Sequence, residues 1–132
     1  MVKVTEEIKD SLKGTKLMFL STASKDGLPN VVPIGAVKFL DDETLLISDQ
    51  YFGKTLANLW ENPRIALAWW GEKEGYQVKA DITIHTDGEI FRHNVEWVHS
   101  LKATLNPKSA IVGKITSVYI VKAGPDAGKQ IL

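Results

Sequence analysis

Apolar side chains recur along this chain with two periods, and each change of period marks a change of element. Thr5 is placed to cap a short helix whose first turn carries Glu6 and Glu7, with Ile8 and Leu12 stacked four apart and Gly14 as its end. Lys16–Ala23 is a dense apolar run that stops at Ser24-Lys25-Asp26-Gly27, which predicts a strand entering a hairpin. A second strand is expected from about Asn30 to Leu40, and a third over Thr44–Asp49 after the polar turn Asp41-Asp42-Glu43. Short turns between them predict an antiparallel meander. Leu56, Leu59 and Trp60 then fall at helical spacing within Lys54–Glu61, and Asn62-Pro63 stops that helix. Strand composition returns over Arg64–Trp70 and Gln77–His85. Thr86-Asp87-Gly88-Glu89 has the form of a capping box ahead of a helical stripe of Ile90, Val95, Val98, Leu101 and Leu105. A last strand is expected over Ala110–Val121, followed by a tail that contains Gly and Pro.

About six strands with three short helices predict a mainly β, α+β architecture: a closed or partly closed six-stranded antiparallel β-barrel, since an open sheet of that size leaves edges exposed. The competing ferredoxin-like sandwich has a βαββαβ order that fits badly with three strands before the first long helix. With 132 residues the chain is expected to form one domain. Sixteen Lys and Arg balance sixteen Asp and Glu, so no net positive field draws the chain to nucleic acid or an anionic membrane. The absence of cysteine excludes disulfides, thiolate-held metal clusters and a thiol nucleophile. No apolar run is long enough for a signal core or a membrane span, so the expected location is the cytoplasm.

Chemistry is expected first at Ser48-Asp49-Gln50-Tyr51-Phe52-Gly53-Lys54-Thr55, where a strand ends and a helix begins. A helix N-terminus offers unpaired N–H groups and a positive dipole end to an anion, and Gly53, Lys54 and Thr55 add close backbone approach, a charge and a hydroxyl. An ordinary helix start accounts for the same residues. The second candidate is Pro29-Asn30-Val31-Val32-Pro33-Ile34-Gly35, where two prolines mark an edge or bulged strand. Such a strand leaves backbone groups free for a planar heterocycle, or is simply a protected barrel edge. Strand alternation sends Trp69 and Trp70 to opposite faces, so at most one of them fills the barrel and the other needs a cover. His85, His93 and His99 show no metal-ligand spacing, and no serine hydrolase triad has an anchor in this sequence.

The order of these parts, with Lys54-Thr55-x-x-Asn58-Leu59 followed by Asn62-Pro63-Arg64, resembles the FMN-binding split-barrel family related to pyridoxamine 5'-phosphate oxidase, from about Leu17 to Val121. The resemblance implies a split barrel and a homodimer with FMN in a groove between two barrels. By position it makes Lys54 and Thr55 the phosphate ligands and Asn58 the support of that loop. It sets the backbone of Asn30, Val31, Val32, Pro33, Ile34 and Gly35 along the isoalloxazine ring, and Ser48, Asp49 and Gln50 beside the ribityl chain. The B6 oxidases of the family carry an Arg- and His-containing carboxy-terminal segment for their substrate. Here the last nine residues, Gly124–Leu132, contain neither, so the resemblance points to the small FMN-binding proteins and flavin-dependent reductases instead. The expected function is electron or hydride transfer on FMN. The alternatives are a reductase that uses the deazaflavin F420 and a non-catalytic flavin-binding module.

Overall fold

The computed structural model describes residues 2–132. Its elements are α1 (Glu6–Lys13), β1 (Met18–Ala23), β2 (Pro29–Ile34), β3 (Val37–Asp41), β4 (Thr44–Asp49), α2 (Lys54–Glu61), β5 (Arg64–Trp70), β6 (Gly75–His85), α3 (Gly88–Leu101) and β7 (Ser109–Ile120). All strands pair antiparallel in one sheet of seven, in the order β2-β1-β5-β6-β7-β4-β3.

The sheet has seven strands rather than six because the segment expected as one strand, Asn30–Leu40, breaks at Gly35-Ala36. The expected meander is corrected with it. β2 pairs only with β1 and β3 only with β4, so the two hairpins lie at opposite ends of the sheet order. Yet Ile34 and Val37 are three Cα steps apart, about 11 Å at most. Two ends of a seven-stranded sheet can be that close only if the sheet rolls up, so this link closes a barrel along a seam that no ladder zips. Ser48 N–H donates to Ala36 C=O at 3.0 Å and holds the link to the β4 side.

The barrel interior follows strand alternation. Leu20, Leu45, Ile47, Leu67, Val78 and Ile111 are fully buried. Trp69 is also fully buried, in edge contact with Phe39 (centroids 6.5 Å apart), with its Nε1–H donating to Ser11 Oγ at 2.6 Å. Ser11 belongs to α1, whose Ile8 and Leu12 cover the core. As expected, Thr5 caps this helix by accepting from Ile8 N–H at 3.3 Å. The β1–β2 hairpin turns where Gly27, at φ +87°, takes a backbone conformation that other residues resist.

Two expectations about α3 are corrected. The Thr86 capping box does not form: the helix starts after Asp87 without a side-chain cap, and Gly88 enters it at φ +86°, a bend that takes Thr86 out of the capping position. Its buried face is Asn94 and Val98, while Leu101 is exposed.

Trp70 points outward, 59% exposed, and stacks on Phe19 with centroids 5.4 Å apart. The register sets Phe19 opposite both Pro33 and Ala68, and Ser21 opposite both Val31 and Ala66. Directly opposed residues share a face, so Val31, Pro33, Phe19, Ala66, Ala68 and Trp70 form one apolar outer surface across β2, β1 and β5.

Trp69 gives a direct test of the core. Trp69→Ala removes an indole from the barrel centre and is expected to cost about 3–5 kcal/mol in urea denaturation. Trp69→Phe keeps most of the volume but strands the Ser11 hydroxyl, and should cost about 1–2 kcal/mol.

Candidate functional site

The seam opens a cavity of about 610 Å³. One wall is the free edge of β2 and the Gly35-Ala36 link; the other is Ser48 at the end of β4 and the loop from Gln50 to Gly53. Lys54 and Thr55 at the start of α2 close one end, and Leu101 and Leu105 reach in from α3 and the segment after it.

Of the residues singled out from the sequence, Asn30, Val32, Pro33, Ile34, Gly35, Ser48, Gln50, Lys54 and Thr55 line this cavity. Three do not. Val31 is 61% exposed on the apolar outer face, as its pairing with Ser21 requires. Asp49 is fully buried and turns toward β7: its carboxylate accepts from Ser109 Oγ–H and from Phe52 N–H, both at 2.9 Å. Lys108 Nζ lies 3.8 Å from the same carboxylate and donates to Phe52 C=O at 3.2 Å. These contacts brace the Gln50–Gly53 loop from behind. Asn58 sits one turn into α2 and supports the site from below.

That support converges on Thr22, a buried residue of β1. Its Oγ accepts from Asn58 Nδ2 at 3.0 Å and from Asn30 Nδ2 at 3.2 Å. Asn30 Nδ2 also donates to Thr55 Oγ at 3.0 Å. Because the Thr55 hydroxyl accepts there, its own proton is available to donate to a group in the cavity. Thr22, Asn30, Asn58 and Thr55 thus tie β1, β2 and the start of α2 together.

The α2 N-terminus is left open. Its cap is Gly53, which brings no side-chain acceptor, so the first-turn N–H groups keep their capacity for an anion beside the exposed Lys54 ammonium. On the other wall, β2 has a strand partner on one side only, and alternate backbone groups on its free edge face no ladder. An anion subsite and an unpaired strand edge therefore open onto one apolar cavity, which suits a ligand with a phosphate at one end and a planar ring with edge donors and acceptors at the other. The cavity also falls within the usual size of a cofactor site.

Sequence reasoning missed Thr22, which reads as an ordinary β-former, and Leu101 and Leu105, which fit the apolar stripe of α3. It also missed Asn94. This fully buried amide donates from Nδ2 to Ser48 Oγ at 2.9 Å, and the Ser48 hydroxyl in turn donates to Gln50 Oε1. A signal was present: Asn94 lies four residues from both Ile90 and Val98, a polar residue within an apolar stripe. The histidines stand elsewhere. His85 bonds Thr83, His93 bonds Lys38 and His99 bonds Leu105 C=O, and none lines the cavity.

Thr22→Val keeps the shape of the residue but leaves two amide donors without their common acceptor. A loss of about 1–3 kcal/mol in urea denaturation is expected, and a change below about 0.5 kcal/mol would remove Thr22 from its place at the centre of this support.

Comparison with known proteins places this geometry. A family model described as Pyridoxamine 5'-phosphate oxidase matches residues 4–122. An uncharacterised protein of Methanocaldococcus jannaschii is 45% identical over 134 residues, covering 99% of this chain and 89% of its own length. Among solved structures, HupZ of Group A Streptococcus superposes with a TM-score of 0.81 at 23% identity, covering 95% of this chain and 99% of that one. An FMN-binding protein from Syntrophomonas wolfei gives 0.78 at 19% identity, with 90% and 86% covered. The heme storage protein HutZ from Vibrio cholerae gives 0.64 at 15%, with 89% and 94% covered. The family match spans nearly the whole chain, and these neighbours share its fold: the chain belongs to the pyridoxamine 5'-phosphate oxidase family.

Proposed function

We propose that the protein binds FMN in the seam cavity as a homodimer in the cytoplasm and passes electrons or a hydride between a reduced donor and an acceptor. The observation that carries this reading is the pairing of the uncapped α2 N-terminus, with Lys54 and Thr55, and the free β2 edge on the walls of one cavity. FMN, when bound, supplies the one- and two-electron chemistry that side chains lack. The chain's own part is to bind and orient. Lys54, the Thr55 hydroxyl and the first-turn N–H groups of α2 hold the phosphate. The β2 edge lies along the ring, with Gly35 allowing close approach, while Phe52, Leu101 and Leu105 keep water from the apolar part of the cavity.

Heme, which the Vibrio cholerae neighbour stores, is served less well by the same walls, because His85, His93 and His99 all lie outside them. The tail Gly124–Leu132 folds back along β7, with Ile120 N–H donating to Lys129 C=O at 2.9 Å and Ile131 N–H to Val118 C=O at 2.9 Å. No residue of it lines the cavity.

The dimer is supported by the apolar outer face. Val31, Phe19 and Trp70 form a continuous patch there, and Pro33 belongs both to that face and to the cavity wall. A second copy is the partner whose cover would shield the patch and the cavity mouth together.

The purified protein is expected to take up FMN with a flavin absorption spectrum; a deazaflavin fluorescence or a heme Soret band in its place would reassign the cofactor. Lys54→Ala should weaken FMN binding about ten- to a hundredfold, the worth of one charge-assisted hydrogen bond. Lys108 does not replace it, since its ammonium is already engaged by Asp49 and Phe52. Riboflavin, which lacks the phosphate, should bind the variant and the parent alike; an equal loss for both ligands would mean that Lys54 does not hold the phosphate. Light scattering should give the mass of two chains, and Val31→Glu with Trp70→Glu should give the mass of one. A monomeric parent at micromolar concentration would overturn the assembly.

A further inference from the structure

Asn94 is the buried amide of α3, and only half of it is satisfied. Nδ2 donates to Ser48 Oγ, while Oδ1 is buried with no hydrogen-bond partner among the described residues. A leucine would fill a similar space without an orphaned acceptor, which costs free energy in an apolar surrounding. The amide must therefore do something that leucine cannot.

A count of protons shows what that is. Ser48 has one hydroxyl proton. Gln50 Oε1 can only accept, so the bond between these residues uses that proton. Ser48 is left with lone pairs for Asn94, and an NH₂ group, which only donates, is their complement. The chain runs in one direction, from Asn94 Nδ2–H to Ser48 Oγ–H to Gln50 Oε1. It pins the carbonyl end of Gln50 and leaves the Nε2 end, which has no partner among the described residues, on a side chain that lines the cavity.

We infer that Asn94 and Ser48 are positioning residues that set the sense of the Gln50 amide, so that this wall offers an N–H donor and selects a ligand with an oxygen acceptor at that point. The acceptor can be a carbonyl, hydroxyl or phosphate oxygen. The relay can be reversed by one substitution. An ionised Asp at position 94 accepts a hydrogen bond from the Ser48 hydroxyl, Ser48 then accepts from Gln50 Nε2, and the amide turns its oxygen to the cavity. Helix α3 thereby sets a contact in a cavity that Asn94 itself does not line.

Two measurements test this, and the first needs no ligand. In side-chain amide NMR of the ligand-free protein, the Asn94 Nδ2 protons should be protected from water and those of Gln50 should exchange freely. In Asn94→Asp, above neutral pH, the Gln50 protons should become protected. Protected Gln50 protons in the parent would show the relay running the other way and overturn the inference. The second measurement rests on the FMN reading. Asn94→Leu and Ser48→Ala should each weaken FMN binding, followed by flavin fluorescence, about tenfold, and should have no further effect on affinity in a Gln50→Ala background. Equal losses of FMN affinity in the two backgrounds would show that Asn94 and Ser48 do not act through Gln50 and would overturn the inference. Should Asn94→Leu fail to fold, Ser48→Ala decides the point. Failure of the parent to bind FMN would sink the proposed function and leave the amide-exchange result to judge the relay.

Discussion

The two-residue link Gly35-Ala36 joins strands that stand at opposite ends of the sheet order, and the rest of the molecule is arranged around that constraint. A link of about 11 Å forces seven strands to curl until their ends nearly meet. It leaves no residues with which to build a ladder across the gap. The seam is therefore covalently closed at one point and open along its length. β2 is left with an unpaired edge that in most sheets would be a hazard, since it can template pairing with another chain. Pro29 and Pro33 blunt it by withholding N–H groups, and the Gln50–Gly53 loop with the start of α2 stands across from it. The cavity is what remains between them.

Holding two unzipped walls at a fixed distance demands braces, and the structure has one set on each side. On the β2 side, Thr22 gathers Asn30 and Asn58 and reaches Thr55 through Asn30. On the β4 side, buried Asp49 ties the loop to Ser109 and Lys108. The acceptors at the centre of these braces, the Thr22 hydroxyl and the Asp49 carboxylate, belong to buried residues, so such contacts contribute little net stability but penalise displacement, because an acceptor pulled off its donors there has little water to replace them. A cavity wall built this way is more sharply placed than one made of apolar packing alone, where side chains can slide with small loss.

Much of this was legible in the chain. Alternation located β1, β4, β5, β6 and β7 to within a few residues, and it put Trp69 and Trp70 on opposite faces; which of them fills the core came from the structure. The Ser48–Thr55 junction was legible as the point where a strand gives way to a helix, although Gly, Lys and Thr there are equally those of an ordinary helix start. The break between β2 and β3 was not, since Val31 to Leu40 is apolar nearly throughout and only tertiary pairing shows that Ile34 and Val37 belong to different ends of the sheet. Thr22 was hidden for the opposite reason: threonine is a good strand former, so nothing local marks its hydroxyl as the acceptor of two distant amides. Leu101 and Leu105 fitted the helical stripe correctly in period but not in destination, because the end of α3 passes over the cavity rather than the core. The capping box at Thr86 failed because Gly88 bends the chain just where the motif needs regular geometry.

Pro33 shows how assembly and binding would be joined. It lies on the cavity wall and, through its pairing with Phe19, on the outer face that carries Trp70. Any body that covers this face therefore comes up to the rim of the cavity. In the proposed dimer the same contact would remove apolar surface from water and close the open side of the ligand site, so the two equilibria would be linked: ligand would favour the dimer by as much as the dimer tightens the ligand. A single barrel with an open seam would hold its ligand by the α2 N-terminus and one strand edge alone. In that reading the anion subsite at buried Thr55 would not depend on the cover, whereas the ring-binding stretch along β2 would. Affinity for the phosphate end would accordingly belong to one protomer, and exclusion of water from the ring to the pair.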